Sequence, residues 1–322
     1  MFDITEDLET LRPRLAHSDP GVRRIALIAL ADLEDAAALP PLIQALRRDD
    51  DASVRQEAAR LLEGWEQPEV IAALCDALTD SDADARARAA QTLSEVKTAA
   101  AGEVILPWAS HADAFVRAAA LRALRELRLP AARGPALAAL GHADAGVRRE
   151  AVAVLGWLRL GEALPALAAL ITHDAHAEVR RAAAGAVGYA EQGQESLALP
   201  ALLSALDDEA WFVREEAATT LGKLHLTDAG TRLAASLDDS HWQVRLRAAR
   251  SLGRLRARQA LPALLATLGH EISNLRKEAA LALGEVGDPD ALPGLRQALQ
   301  DQDPEVRKAV RIALAQLTGS PA

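Results

Sequence analysis

Apolar residues recur along this chain with one spacing, which is repeated over almost its whole length. In residues 275–305, LRKEAALALGEVGDPDALPGLRQALQDQDPE, an apolar residue is followed by alanine after four positions, leucine after eight and another apolar residue after eleven. In a helix of 3.6 residues per turn, these positions lie on one face. A Gly-Asp-Pro turn, a second apolar segment and an acidic turn complete the unit. Each unit therefore predicts two short amphipathic helices.

The unit occurs ten times when its copies are aligned on the apolar-arginine pair that opens each second helix. Most copies are 31 residues apart, and no linker or low-complexity segment interrupts them. We number positions from the apolar residue of each pair, which is position 0. A repeat of this length predicts a solenoid in which each unit packs on its neighbours, here as a single array over residues 1–322. The pairs begin at Val22, Val54, Ala85, Val116, Val147, Val179, Val213, Val244, Leu275 and Val306.

Three kinds of residue predict where the helices begin and end. An aspartate at position −3 is expected to cap the second helix, and a Leu-Pro pair to open the next first helix. Glycine is expected to close second helices, because it adopts the unusual backbone angles of helix ends. The aspartates are Asp19, Asp51, Asp82, Asp113, Asp144 and Asp303; the Leu-Pro pairs begin at Leu39, Leu164, Leu199, Leu261 and Leu292; the glycines are Gly156, Gly188, Gly222, Gly253 and Gly284.

The composition favours helices and argues against some classes of binding partner. Half of the 322 residues are hydrophobic but only 3% are aromatic, which favours helices over strands. A net charge of −10 argues against general binding to nucleic acid or to an anionic membrane surface. The acidic N-terminus lacks a secretion-signal pattern, and no apolar run approaches the roughly 20 residues that span a bilayer. We therefore expect a cytoplasmic protein with no nucleic-acid or membrane partner.

The recurring unit D-x-x-V-R-x-x-A-A-x-x-L-G resembles the short HEAT-like repeat of the phycobilisome-lyase (PBS lyase) type. The resemblance extends from about Leu8 to Leu317. It implies an all-α fold, a right-handed α-solenoid of about ten HEAT-like helix pairs. Proteins with such repeats include bilin lyases, deoxyhypusine hydroxylase, some DNA glycosylases and many adaptors. The motif is therefore specific for the fold and not for a function.

The arginine at position +1 of every repeat is a candidate for a phosphate-binding stripe. In HEAT-type families this arginine typically pairs with an acidic turn residue of an adjacent helix or repeat, and the pairs form a ladder. The acidic residues are present five residues before position 0 in several repeats. We therefore expect a structural ladder. These aspartates are Asp49, Asp80, Asp208, Asp239 and Asp301.

Histidines share the same turn position and are candidates for a metal site. They are His17, His111, His142 and His270, with His173 expected to be equivalent after a one-residue insertion. Ligands must approach one ion within roughly 2 Å, whereas helix layers are about 8–10 Å apart. We therefore expect histidine and aspartate to alternate as polar turn residues, and we expect no metal.

No common catalytic template is present. The deoxyhypusine hydroxylase family binds two irons through His-Glu pairs directly after the valine-arginine pair, and none of the ten repeats has His-Glu there. The lone cysteine, Cys75, falls in an apolar run and is expected in the core. The sequence also lacks a glycine-rich phosphate loop, CxxC and GxSxG. We expect no catalytic residue and no cofactor.

The few aromatic residues suggest a binding surface. Those at position +10 are expected on the exposed surface of the second helices, which is concave in HEAT-type solenoids, and two tryptophans share position −2. Exposed tryptophan and tyrosine dominate interaction hot spots, although these side chains could also simply cover turn edges. Charged residues at positions +6 and +10 share the surface. The predicted partner-binding residues are Trp157, Tyr189, Trp211, Phe212, Trp242, Arg122 and Glu126.

The predicted function is a non-catalytic scaffold, adaptor or assembly factor that binds a protein partner on the concave face. The alternative is a bilin-lyase-like enzyme or chaperone acting on a tetrapyrrole-carrying protein, which only the resemblance of the repeat suggests. A DNA-repair solenoid needs a basic groove, and the net charge disfavours it. The predicted state is a monomer or a weak homo-oligomer.

Overall fold

The fold consists of helix pairs that follow the repeat. The computed structural model describes residues 8–159, 161–189 and 193–319, without the side chain of Glu195. None of these residues lies in a β-strand. The chain divides into two compact units, Met1–Leu158 and Arg159–Ala322. The repeat is present in both units, and the single array over residues 1–322 stays a prediction.

The described residues of the first unit form five helix pairs. Its first helices are α1 (Leu8–Leu15), α3 (Leu39–Arg48), α5 (Pro68–Ala77), α7 (Ala99–Ile105) and α9 (Arg133–Ala139). Its second helices are α2 (Pro20–Ala31), α4 (Ala52–Leu61), α6 (Ala83–Ser94), α8 (Ala114–Leu124) and α10 (Ala145–Leu158). Successive second helices pack on one another, and α3, α5 and α7 do the same among the first helices. This two-layer packing defines an α-solenoid.

The second unit has the same construction. Its first helices are α11 (Leu164–His173), α13 (Leu199–Ala205), α15 (Gly230–Ala235), α17 (Leu261–Thr267) and α19 (Leu292–Ala298). Its second helices are α12 (Ala177–Ala186), α14 (Trp211–Lys223), α16 (Trp242–Arg254), α18 (Ser273–Val286) and α20 (Pro304–Thr318). Each second helix from α12 to α20 packs on the next one. None of the described helices in either unit is long and apolar enough to cross a membrane.

The core is formed by the periodic positions of the second helices. The alanine at position +4 is fully buried in all nine repeats that carry it, and Val310 replaces it in the tenth. The apolar residue at position +8 is at most 1% exposed in the first nine repeats. Burial of each such leucine contributes about 1.5–3 kcal/mol. The small residue lets neighbouring helices approach, and the leucine fills the space between them.

The predicted caps and starts are confirmed. All six aspartates at position −3 accept a hydrogen bond from a backbone N–H of the first turn; Asp82, for example, accepts from Asp84 and Ala85. The five Leu-Pro pairs open α3, α11, α13, α17 and α19 at the leucine. Local chemistry therefore fixes these helix starts.

The prediction that glycine closes the second helices is wrong for all five glycines. Gly156, Gly222, Gly253 and Gly284 lie inside α10, α14, α16 and α18, and Gly188 lies in a 3-10 turn after α12. Their backbones do not adopt positive φ. At Gly222, Gly253 and Gly284, an added Cβ would lie only 2.8 to 2.9 Å from a Cα atom of the next second helix. At these three positions glycine is required for close helix packing.

Gly284→Ala tests this role of glycine. Alanine is the better helix former by about 1 kcal/mol. Here, however, its Cβ would lie 2.8 Å from the Cα of Ala313 and 3.0 Å from its Cβ. Overpacking of this kind costs about 1–3 kcal/mol, so we expect a net loss of stability in urea unfolding.

The matched control is Gly141→Ala, where no atom lies within 4 Å of the added Cβ. We expect this variant to change stability by less than about 0.5 kcal/mol. Equal stability of the two variants would contradict the packing role of Gly284.

Candidate functional site

The arginines at position +1 form the ladder that the sequence predicts. Five of them bind the aspartate at position −5 of the next repeat through Nε and Nη2, with both distances between 2.6 and 2.9 Å. The paired side chains are only 8% to 15% exposed. The rungs are Arg23–Asp49, Arg55–Asp80, Arg180–Asp208, Arg214–Asp239 and Arg276–Asp301.

The same arginines also hold the turn of their own repeat. Arg55, for example, donates from Nη1 to the backbone carbonyl of Asp49 at 2.8 Å, while its other edge binds Asp80. Arg276 makes the equivalent bonds to His270 and Asp301. One guanidinium thus uses most of its five donors within the fold. These arginines are not available as a phosphate-binding stripe.

The rungs of Arg55 and Arg276 lower the pKa of their carboxylates. Hydrogen bonds from the Arg55 guanidinium hold the pKa of Asp80 below its ordinary value. Those from Arg276 do the same for the pKa of Asp301. Because both charged partners are hydrogen-bonded and mostly buried, these two rungs favour the ionised carboxylate in the folded state.

The turn histidines accept the same backbone hydrogen bond as the ladder aspartates. In each of four repeats, the histidine Nδ1 accepts a hydrogen bond, 3.0 Å long, from the backbone N–H two residues later. The aspartates at the same position accept this bond through Oδ1. The predicted alternation of histidine and aspartate is confirmed for His17, His111, His142 and His270.

His173 does not belong to this set, so its predicted equivalence is wrong. It is the last residue of α11. Asp174 takes the turn position instead and accepts from the backbone N–H of His176 at 2.9 Å. Among the residues that the structure describes, no group of three or more histidine, cysteine, aspartate or glutamate side chains is placed to hold a metal ion.

The ladder has gaps where the next repeat carries histidine. Histidine replaces the carboxylate that would follow Arg86, Arg117 and Arg245. Arg86 still binds its own turn at 2.7 Å, and its guanidinium lies 5.9 Å from the ring centroid of Phe115. The Nε of Arg245 is buried and has no hydrogen-bond partner in the described part of the chain.

Cys75 lies in the core, as predicted. Its side chain is fully buried in α5. Burial raises the pKa of the thiol to about 12. The thiol therefore stays protonated at neutral pH and is a poor nucleophile.

The two aromatic residues at position +10 lie beneath or beside cations. Trp157 is half-buried at the end of α10, with the Arg128 guanidinium 5.2 Å from its ring centroid. Tyr189 is 42% exposed, and the Lys223 ammonium lies 3.5 Å from its ring centroid. Such cation-π contacts contribute about 0.5–1 kcal/mol at exposed sites. Tyr189 is exposed as expected, whereas Trp157 is partly covered.

Trp211 and Phe212 are largely occupied by contacts within the second unit. The Trp211 ring stacks on His241, with centroids 5.6 Å apart and planes at 9°. Phe212 meets the Trp211 ring edge-on at 5.9 Å, and the Arg181 guanidinium lies 6.0 Å from the Phe212 centroid. Both side chains are half-buried. These contacts support the alternative that they cover a turn edge.

Trp242 differs because its side chain lines an open groove. It is 41% exposed at the start of α16. The groove has a volume of about 380 Å³ and lies among α14, α16 and α18. Its other lining residues are Glu215, Gln243, Leu246, Arg247, Arg250, Asn274, Lys277 and Glu278.

Ion pairs between second helices occupy several charges of this surface. Arg247 binds Glu215 at 3.0 Å, and Arg250 binds both carboxylate oxygens of Glu278 at 2.7 and 2.8 Å. The predicted site residue Arg122 is the counterpart of Arg250 in the first unit, and its Nη2 lies 3.4 Å from Glu150. Arg122 is therefore partly engaged in packing.

The predicted site residue Glu126 remains more accessible. Its side chain is 55% exposed and lies 3.1 Å from Arg125. Leu246 and Lys277 also line this groove, and neither was among the predicted site residues. Both residues occupy position +2, in successive repeats, so the repeat pattern offered one signal for them. A shared position in the repeat does not show, however, that three helices frame a groove there.

The fold and its repeated ladder define an all-α repeat protein, and comparison with family models identifies the type. The model described as HEAT repeats matches residues 39–116, 102–188, 171–242 and 230–315. The model described as PBS lyase HEAT-like repeat matches residues 22–48. This chain therefore belongs to the HEAT-repeat family. No curated protein matches it.

Solved structures share this fold at low sequence identity. An engineered protein is 22% identical, with a TM-score of 0.57, and the match covers 98% of this chain and all of that one. Kap95p, in a structure with RanGDP, is 13% identical with a TM-score of 0.68, over 98% of this chain. The chain spans 50% of the length of Kap95p. YibA of Escherichia coli is 20% identical with a TM-score of 0.61, over 85% of this chain and 99% of that one.

His270→Asp is expected to stabilise the protein. Aspartate keeps an acceptor for the backbone N–H of Ile272 and places a carboxylate at the rung position that follows Arg245. The buried Nε of Arg245 then gains a partner, and a hydrogen bond to a charged group contributes about 1.5–3 kcal/mol. Urea unfolding measures the gain.

The matched control is His17→Asp, which makes the same change at a turn for which the described residues include no position +1 arginine of an earlier repeat. We expect little change there. If His17→Asp stabilised the protein as much as His270→Asp, the gain would come from the turn and not from a new rung.

Asp301→Asn is expected to show a pH-dependent loss of stability. The pKa of Asp301 is lowered in the folded state, so its stabilisation is complete above the unfolded pKa of about 3.9 and disappears as pH falls through the folded value. Urea unfolding at several pH values should show a difference from wild type that is largest at neutral pH and shrinks below about pH 4. A difference independent of pH would contradict the contribution of the charged rung.

Proposed function

We propose that this chain is a non-catalytic interaction scaffold that binds a protein partner on the surface of its second helices, the concave side of the solenoid. The observation that carries the proposal is the exposed indole of Trp242 beside an open groove. Tryptophan is enriched at interaction hot spots because it contributes a large rigid area at low entropic cost. The family supports this reading, since its repeats form extended binding surfaces.

The groove favours a protein segment over a polyanion. Its guanidinium groups are already paired with Glu215 and Glu278, and these carboxylates would repel phosphates. The net charge of the chain, −10, adds to this repulsion. Solenoids of similar fold have been solved with RanGDP and with Nup1, which are other proteins, and this accords with the proposed class of partner.

Tyr189 and Trp157 are proposed as further contact points on second helices, at position +10. Tyr189 is the more exposed of the two, so it is the better candidate. The match to the PBS lyase HEAT-like repeat covers only residues 22–48, which supports the repeat type and no lyase chemistry.

Trp242→Ala tests the proposal. Wild type and variant are immobilised, exposed to an extract of the source organism, and the bound proteins are quantified by mass spectrometry. We expect at least one partner to be retained by wild type and reduced about tenfold or more by the variant, because hot-spot truncation costs about 2 kcal/mol or more.

The matched control is Phe115→Ala, which removes another aromatic side chain that is 41% exposed and lies outside the groove. Both variants must unfold as cooperatively as wild type. Retention of every partner by Trp242→Ala, or equal losses with Phe115→Ala, would overturn the assignment of the groove.

A further inference from the structure

The charges around Trp242 indicate what kind of segment the groove binds. We infer that its occupant is an acidic peptide segment, with an apolar side chain on Trp242 and Leu246 and a neighbouring carboxylate on Lys277. This inference rests on the proposed function, because it specifies the chemistry of the segment that the same groove takes. Three features of the groove support it: the balance of charges, the apolar surface and the volume.

The groove carries one positive charge in excess. Glu215 accepts from Arg247 at 3.0 Å, and Glu278 receives a bidentate bond from Arg250 at 2.7 and 2.8 Å. Each carboxylate is thus matched by one guanidinium. The ammonium of Lys277 has no carboxylate partner among the described residues.

The ammonium of Lys277 is placed to bind a carboxylate of the occupant. Its Nζ approaches the Asn274 side-chain oxygen at 3.4 Å, which is a long contact for an ammonium donor. An incoming carboxylate would give this ammonium a shorter charge-assisted bond. The single lysine is a point charge and matches one carboxylate, whereas the adjacent Glu215 and Glu278 disfavour an anion with several charges.

An apolar strip lies beside the lysine. Trp242 and Leu246 are four residues apart on α16, so their side chains share one face of the helix. Both line the groove, with Trp242 41% exposed and Leu246 half-buried. An apolar side chain placed there removes apolar area from water at about 25 cal/mol per Å². The carboxylate and the apolar group must therefore be neighbours in the occupant.

The volume suits side chains of a peptide. About 380 Å³ is near the lower end of the range of roughly 300–1,000 Å³ for ligand pockets. The groove also lies on a surface framed by three helices, α14, α16 and α18, and this allows a segment of chain to continue beyond it. A peptide that places one apolar and one acidic side chain in the groove satisfies both features.

Selection from a random peptide library displayed on phage tests the inference with the full chain. We expect peptides enriched on wild type to carry aspartate or glutamate close to a leucine or an aromatic residue. Labelled synthetic copies should bind about tenfold more weakly to Lys277→Glu, since attraction becomes repulsion in a partly shielded site. Trp242→Ala should weaken the same peptides by a similar factor.

The matched control is Lys308→Glu, which reverses an exposed lysine at position +2 of the next repeat, outside the groove lining. We expect it to change peptide affinity by less than about twofold, as is usual for a distant rim charge. The measurement also compares the melting curves of all variants, so that a folding defect is recognised.

The outcomes separate this inference from the proposed function. Peptides that depend on Trp242 but show no acidic preference, or that bind Lys277→Glu as well as wild type, would overturn the acidic occupant and leave the scaffold proposal intact. Enrichment of basic peptides would overturn the charge assignment as well. If no selected peptide depends on Trp242, the groove is not a peptide site. That result would overturn both this inference and the assignment of the groove as the binding surface.

Discussion

Close contact between successive second helices is the constraint on which the rest of this fold depends. Alanine at position +4 is fully buried in nine repeats, and Gly222, Gly253 and Gly284 bring backbones so near that a Cβ would clash. Because close-packed interiors lack spare volume, these positions admit no larger side chain without a shift of the backbone. Other contacts between successive repeats accompany this packing.

The arginine ladder is one such contact. A guanidinium at position +1 reaches the turn of its own repeat and, in five repeats, the aspartate of the next one. The position +1 arginines, which recur in every repeat, are therefore used for contacts within the fold. The side chains that distinguish one layer from the next are therefore those at positions that vary between repeats.

The second unit shows how variable positions create such a surface. Position −2 supplies Trp242, and position +2 supplies Leu246 and Lys277 on two neighbouring helices. Arg247 and Arg250 hold the helices together through ion pairs. The arginines are 37% and 41% exposed, whereas Glu215 and Glu278 are only 20% and 7% exposed. These pairs also cancel charge, so that one lysine remains beside the exposed indole.

The sequence by itself determined the elements of this protein. Six aspartate caps, five Leu-Pro starts and the buried face of the second helices depend on residues within one or two helical turns, so a linear pattern shows them. It also predicted the ladder, because the ladder residues recur with the repeat, and it made the position −2 tryptophans candidates for binding, which stays a prediction. The repeat pattern therefore gave the fold and the correct family.

Only the tertiary structure decided the role of each side chain at the contacts between repeats. Gly222, Gly253 and Gly284, which were expected to end helices, lie inside them and face the backbone of the next second helix. Arg122 contacts Glu150, and the Trp211 ring stacks on His241, whereas Trp242 lines an open groove. These differences depend on partners about one repeat away in sequence. Their physical cause is the packing of one layer on the next, which residue type and spacing within a single repeat do not specify.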